Sequence, residues 1–370
     1  MFTSVRIQNF RQFRDLELKN LGRINLITGQ NNTGKTSLLE ALNLLVAPND
    51  PWVVATHARL RGVGRIAVDG SQAWGFIFRD GDIEQPITLA GHRMNGRRDV
   101  LNIRELRDSP LTIGDGGSTN GAGSKSTIST LSSPSSGLEY AYESESGDEH
   151  VSVISRIVRD GRNWTLVPAP VPQPWRWYFL ATRPADLGQS GGDDSPRLSE
   201  AEGEAQRFSQ LIMQRRKSEV IDAVRVMEPR LTDLQVLDLP PPTIAADIGL
   251  RSLIPMAYLG QGFGRMLKIV QAILTTEGGV VFIDEIEDGL HYSVLPSVWK
   301  AIIAAAHKHD VQIFATTHSL EAIEAATQTS AERGAGATLI RLERDGPDIR
   351  AVSADERELQ AAVGLGFEMR

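Results

Sequence analysis

The 370-residue sequence contains no cysteine. That excludes a disulfide framework, thiol catalysis and cysteine-ligated zinc or iron–sulfur centres. No apolar run approaches the ~18–20 residues needed to cross a bilayer. The opening, Met1-Phe2-Thr3-Ser4-Val5-Arg6, lacks the basic-then-apolar layout of a secretory signal. A cytoplasmic protein with no membrane partner is therefore expected. Positive charge is in deficit: 39 Lys and Arg stand against 46 Asp and Glu, for a net charge of −7. That balance argues against a generic nucleic-acid coat and leaves a local basic groove as the route to DNA or RNA. Hydrophobic residues at 41% and charged residues at 23% are ordinary for a globular chain. They exclude collagen-like, coiled-coil and wholly disordered architectures, and the length allows two or three domains or one large domain with an insertion.

Periodicity organises both ends of the chain. Val5–Phe10 alternates, Leu16-Glu17-Leu18 follows a short basic turn, and Ile24–Thr28 forms a third strand that runs into Gly29. Leu38, Leu39, Leu42 and Leu45 then lie at helical spacing over about 35–45. From residue 253 onward, Met266, Ile269, Val270, Ile273 and Leu274 mark an amphipathic helix. Val280–Ile283 and Val311–Ala315 read as buried parallel strands, with a helix over about 294–306 between them. The middle is less regular. Trp74–Phe78 is strand-like, and 151–183 is strand-like with Pro168, Pro170, Pro172 and Pro174 as a stiff connector. A single polar helix is expected over 200–227, and short strands over 231–239 and 244–248. Residues 109–150 hold 11 Ser, 4 Thr and 7 Gly, too little apolar surface to offset ordering entropy, so a flexible tract is expected there. The division expected is 1–50 as an N-terminal lobe, 51–230 as an inserted arm region and 231–370 as a C-terminal lobe.

Four motifs carry chemistry. Gly29-Gln30-Asn31-Asn32-Thr33-Gly34-Lys35-Thr36 matches G-x-x-x-x-G-K-[ST], with a strand before it and a helix after it. Glycines in such a loop let backbone N–H groups turn inward around a phosphate chain at a helix N-terminus. The expected nucleotide contacts are Gly29, Asn31, Asn32, Thr33, Gly34, Lys35, Thr36 and Ser37. Lys35 would reach the β- and γ-phosphates, and Thr36 would supply a hydroxyl to Mg²⁺. Val280–Ile283 delivers Asp284 and Glu285 at a strand's C-terminal end, where open α/β sheets place ligands. Asp284 would help hold Mg²⁺, and Glu285 would deprotonate the attacking water. His318 closes the next buried strand and would contact the γ-phosphate. Leu259–Arg265, with Gly260, Gly262 and Gly264, opens a helix and forms a second anion-friendly loop. A second phosphate cradle makes sense if Gly260 and Gly262 complete the ATP site of a partner copy in trans.

In this order the motifs resemble the ABC-type ATPases, and most of all the branch with RecF, the SMC proteins and the OLD-family ATPases. Asn9-Phe10-Arg11-Gln12-Phe13, Ile283–Tyr292 and Phe314–Ser319 carry that likeness, which is dense over about 1–45 and 225–330 and thin over 50–220. It implies an α/β fold of the P-loop NTPase type: a mixed sheet with an N-terminal antiparallel part and an inserted α/β arm. It implies ATP and Mg²⁺ as ligands, Arg11 near the nucleotide, and Asp288 in the loop joining two ATP sites across a dimer. Gly260 stands where the family's signature carries serine, which removes a hydroxyl donor. The family's water-sensing glutamine has two candidates, Gln72 and Gln85. Only 52 residues follow His318, too few for the Toprim nuclease of ~100 residues that OLD proteins carry, so a standalone ATPase is expected.

The resemblance implies a dimerising ATPase switch, as a homodimer or higher homo-oligomer, in a bacterial defence or DNA-maintenance system. Its effector, a nuclease or toxin, would act in trans. Two rivals stay open: a RecF-like repair ATPase that closes around DNA, and an ATP-binding scaffold that restrains a toxin with little hydrolysis. A transporter ATPase fits the opening poorly. His307-x-His309 lacks a third ligand at metal spacing and is expected on an exposed helix end. The basic stretch of Arg207, Arg215, Arg216 and Lys217, flanked by acids, is expected on a solvated helix.

Overall fold

A computed structural model describes residues 1–48, 50, 52–61, 74–106, 137–147, 149–160, 163–167, 176–181, 200–355 and 358. Its centre is a six-stranded sheet in the order β16-β15-β3-β14-β13-β9. These strands are Asp348–Ala354, Ala337–Asp345, Ile24–Gly29, Gln312–Thr316, Val280–Ile283 and Trp177–Leu180. All neighbours pair in parallel except the edge pair β15–β16. The central strands β3, β14 and β13 are buried along their whole length because both faces are covered. Along β13, Val281 and Ile283 face one core, with the helices α5 (Gln261–Thr275), α6 (Leu295–Lys308) and α7 (Leu320–Arg333). Val280 and Phe282 face the other core, with α1 (Lys35–Val46).

The far side of α1 is roofed by a seven-stranded antiparallel sheet, β2-β1-β4-β5-β6-β7-β8. Its strands are Phe13–Leu18, Phe2–Phe10, Ile87–Arg93, Arg98–Leu106, Gly137–Ser146, Glu149–Asp160 and Asn163–Val167. α1 is thus sandwiched, and Leu38, Leu39, Leu42 and Leu45 are all buried. Each such side chain contributes about 1.5–3 kcal/mol by leaving water. A helix clamped on both faces holds its N-terminus, and the loop before it, in one place. Helix α2 (Trp52–Leu60) packs on α1. Helices α3 (Glu200–Met213) and α4 (Lys217–Val224) pack on α5, beside a small sheet of β10 (Asp233–Leu237), β11 (Thr243–Asp247) and β12 (Ile254–Pro255). The architecture is the mixed α/β P-loop arrangement, with an antiparallel N-terminal part, that the motifs imply.

Five local expectations are corrected. Trp74–Phe78 is not a strand. Gly75–Ile77 is a 3₁₀ turn, and Trp74, Ile77 and Phe78 are buried in the α1 core instead of alternating across a sheet. The single helix over 200–227 is two helices, broken where Arg215 takes φ 59°. Arg216 leaves the helix to donate to the Leu274 carbonyl at 2.7 Å, and Lys217 pairs with Asp233 at 2.6 Å, so the basic run is tied down and not merely solvated. His309 is also not on an exposed helix end: it is 6% exposed and bonds to Glu219 at 2.9 Å. The flexible tract expected over 109–150 is wrong for 137–147, where β6 pairs along its length with β5 and β7. Leu138, Tyr140 and Tyr142 supply that strand with a buried apolar face. Residues 107–136, the proline connector at 168–174 and Gln72 lie outside the described residues.

Candidate active site

The phosphate-type loop leaves β3 at Gly29 and enters α1 at Lys35. Asn32 (φ 61°) and Gly34 (φ 93°) take left-handed backbone, which turns successive N–H groups to one side. A Cβ at Gly34 would also meet the side chains of Gln12 and Phe13, which would have to shift to admit it. Thr33 donates its hydroxyl to the Gln30 carbonyl at 2.8 Å and fixes the turn from inside. The Lys35 ammonium folds back onto the carbonyls of Gly29 (2.8 Å) and Gln30 (3.0 Å). Burial pushes its pKa below the usual lysine value, while Asp284, Glu285 and Glu287 pull it back up. A buried cation facing three acids stands ready for a polyanion.

The acid pair arrives from β13, parallel to β14, which itself lies beside β3. Three adjacent C-terminal strand ends therefore present Gly29, Asp284 and Thr316 on one sheet edge, where α/β folds bind ligands. Thr36 Oγ1 lies 3.2 Å from each carboxylate oxygen of Asp284. Thr316 donates its hydroxyl to Asp284 at 2.7 Å and accepts the Glu285 N–H at 2.8 Å. One hydroxyl thus orients both acids. Glu285 has φ 47°, a costly backbone state for a non-glycine residue that persists only where the surroundings impose it. Here the Glu285 N–H bond to Thr316 and the Ile286 N–H bond to the Thr316 carbonyl impose it.

Arg265, four residues into α5, reaches beneath the acids. It donates to the carbonyls of Asp284 (2.6 Å), Glu285 (3.1 Å) and Ala181 (3.3 Å). Burial lowers its pKa, and Asp288, Asp284, Glu285 and Glu287 raise it. Sequence reading placed Arg265 in a glycine-rich loop and missed this tie, as it missed Thr316. The only signal for Thr316 was its place at a buried strand's end.

The remaining expected residues fall as follows. His318 is exposed, two residues past β14, and its N–H donates to Glu287 at 2.7 Å. Gly260 (φ 90°) caps α5, is exposed, and has open space where a Cβ would be. Gly262 is pressed against the chain's own Gly289, whose carbonyl would stand 2.8 Å from an added Cβ. Asp288 is exposed beside it. Arg11 pairs through Nη1 with Glu40 at 2.7 Å, and Ser37 is buried on α1. Burial depresses the Arg11 pKa to about 10, which still leaves it charged at neutral pH. Gln85 is exposed in the turn before β4.

The donor set suits Mg²⁺: one hydroxyl (Thr36) and one carboxylate (Asp284), with room left for phosphate oxygens and water, which is how this ion is usually held. Among the described residues no group of three or more His, Asp or Glu side chains could hold a metal by itself. No described helix is long and apolar enough to cross a membrane.

Comparison with known proteins agrees with this geometry. Residues 1–87 match a family described as an AAA ATPase domain. Residues 179–324 match an AAA domain family whose description names the AbiEii toxin and the type IV TA system. An ATP/GTP phosphatase of Helicobacter pylori is 23% identical over 354 residues, 90% of this chain and 89% of that protein. An uncharacterized protein of Methanocaldococcus jannaschii is 29% identical over 113 residues, 30% of this chain and 99% of that protein. Among solved structures, an SMC head bound to the C-terminal winged-helix domain of ScpA has the same fold: TM-score 0.50 at 13% identity, covering 98% of this chain and 99% of that one. With its phosphate loop, acid pair and clamped helix on one sheet edge, the chain has a P-loop ATPase fold and is similar over residues 1–87 and 179–324 to AAA ATPase domains.

Proposed function

We propose that the chain is an ATP-driven switch. ATP lies along Gly29–Ser37, its β- and γ-phosphates neutralised by Lys35. Mg²⁺, held by Thr36 and Asp284, would supply charge neutralisation at the phosphates. Glu285 takes a proton from the attacking water, and His318 lies at the next strand end to meet the γ-phosphate. Two copies then close on each other, each bringing the 259–265 loop to the other's nucleotide, and hydrolysis loosens the pair. ATP does this by binding the closed state better than the open one.

The observation that carries the reading is the contact of Thr36 with Asp284, next to a Glu285 held in left-handed backbone. The exposed Gly260 cap, with open space where a Cβ would be, supports the trans contact. In the cell we place the protein in the cytoplasm, as an OLD-like ATPase subunit of a defence or DNA-maintenance system acting through a protein effector. The likeness to OLD-type motifs and the toxin–antitoxin description of the family matching 179–324 support this role. The lobes would then be 1–50 and 231–370, with 51–230 as the inserted arm region.

The test is the oligomeric state of Glu285→Gln in ATP and Mg²⁺, by light scattering. The variant should be trapped as a dimer that Lys35→Ala does not form. A Glu285→Gln protein that stays monomeric with ATP bound would contradict the switch. Dimerisation only with DNA present would favour the RecF-like reading.

A further inference from the structure

The turn that follows β14 is held from both neighbouring strands. On one side the Thr317 N–H donates to the Ile27 carbonyl of β3 at 3.0 Å. On the other the His318 N–H donates to Oε1 of Glu287 at 2.7 Å. Within the turn, the Ser319 N–H donates to the Thr317 hydroxyl at 3.1 Å, and the Ser319 hydroxyl accepts the Ala322 N–H at 3.0 Å to cap α7. β3 runs into the phosphate loop, and Glu287 lies two residues past Glu285 on the loop that leaves β13. The His318 backbone is thus set against the phosphate loop through Ile27 and against the acid pair through Glu287.

The surroundings of Glu287 exclude the ordinary use of a surface carboxylate in an ion pair. Its Oε2 is buried with no hydrogen-bond partner, and among the described residues the His318 N–H is its one donor. Lys35 and Arg265 feel its charge, but both spend their bonds on backbone carbonyls instead. Buried polar atoms are rarely left unpaired. An apolar side chain would avoid that cost, so what the carboxylate brings is the bond to His318 and the charge. Its own backbone is fixed. The Asp288 N–H closes on the Glu285 carbonyl and the Leu290 N–H on the Glu287 carbonyl, both at 2.9 Å, and Ile286 between the two acids is fully buried.

We propose that Glu287 is a positioning residue for hydrolysis: by holding the His318 N–H it fixes where the His318 imidazole stands relative to Glu285. The inference rests on the reading of His318 as the γ-phosphate contact. Glu287 acts on the backbone of His318, so its effect reaches the chemistry only through the imidazole. A misplacement of about 1 Å at a reacting group is enough to slow a reaction by about 10²-fold. The bond and not the charge is the active feature, so an amide that keeps the acceptor oxygen should serve.

The test is a double-mutant cycle on ATP turnover by the full chain. Glu287→Ala should lower kcat by about tenfold and change KM for ATP by less than about threefold. Glu287→Gln keeps the acceptor and removes the charge, and should bring the rate back to within about threefold of the parent. His318→Ala removes the imidazole and leaves the backbone N–H. In that background Glu287→Ala should cost less than about threefold more. A full cost in the His318→Ala background would overturn the proposal by putting Glu287 on another path. A Glu287→Gln as slow as Glu287→Ala would overturn it by making the charge the active feature. Hydrogen exchange of the His318 amide without nucleotide gives a readout that does not depend on turnover. It should speed up in Glu287→Ala and stay slow in Glu287→Gln, and equal exchange in both variants and the parent would also overturn the proposal. A His318→Ala chain that turns over ATP like the parent would instead refute the reading of His318, and this inference with it.

Discussion

Thr36 Oγ1 and the Asp284 carboxylate lie 3.2 Å apart, across 248 residues of sequence. The contact joins the first turn of α1 to the end of β13, and Thr316 holds the same carboxylate from the neighbouring strand. Asp284→Ala should therefore cut Mg²⁺-dependent ATP turnover by about 10² or more, the range seen when a charge-stabilising group is removed. The Mg²⁺ concentration for half-maximal rate should also rise. A Mg²⁺ titration of parent and variant checks this, and an unchanged midpoint would sink the metal assignment.

Arg265 makes three bonds to carbonyls below the acid pair and none to residues 29–37. Arg265→Met should lower kcat at least tenfold while changing KM for ATP less than threefold. Breaking buried charge-assisted bonds should also cost about 2–4 kcal/mol of stability. Steady-state kinetics and urea unfolding report the two effects separately. A variant that raises KM alone would show that Arg265 acts on nucleotide binding instead.

His57 is fully buried in α2, bonded through Nε2 to Asn43 at 2.9 Å, and burial depresses its pKa to about 4. The unfolded chain takes up this proton near the ordinary histidine value and the folded chain does not until about pH 4. The contribution is therefore complete above the ordinary value and is lost as pH falls through this window, by up to about 3 kcal/mol. His57→Gln should flatten that part of the pH–stability curve. Parallel curves for parent and variant, from denaturant unfolding at several pH values, would contradict it.

The phosphate loop and the two buried strands were legible because each is a local pattern: a glycine spacing, an apolar run, a charged end. What stayed hidden depends on partners distant in sequence. Trp177–Leu180 gives no sign that it pairs with Val280–Ile283 as the edge of the central sheet. Gly137–Ser146 sits in a Ser- and Gly-rich stretch, yet β5 and β7 on either side make it a strand. The turn at 74–81 shows the reverse: an apolar run that resembles a strand is bent so that three of its side chains fill the core over α1. The roles of Arg265 and Thr316 were hidden for the same reason, since each exists only once α5 and β14 are packed against β13.

The central claim is that Lys35, Asp284 and Glu285 form one ATP-hydrolysing site. Phosphate release from ATP by the purified chain, beside Lys35→Ala and Glu285→Gln, tests it most directly. The expected result is Mg²⁺-dependent turnover in the parent and none from Lys35→Ala, which binds no ATP. Glu285→Gln should bind ATP with near-parent affinity and turn over about 10²–10⁴ times more slowly, the range for losing a general base. Equal turnover by all three proteins would contradict the site.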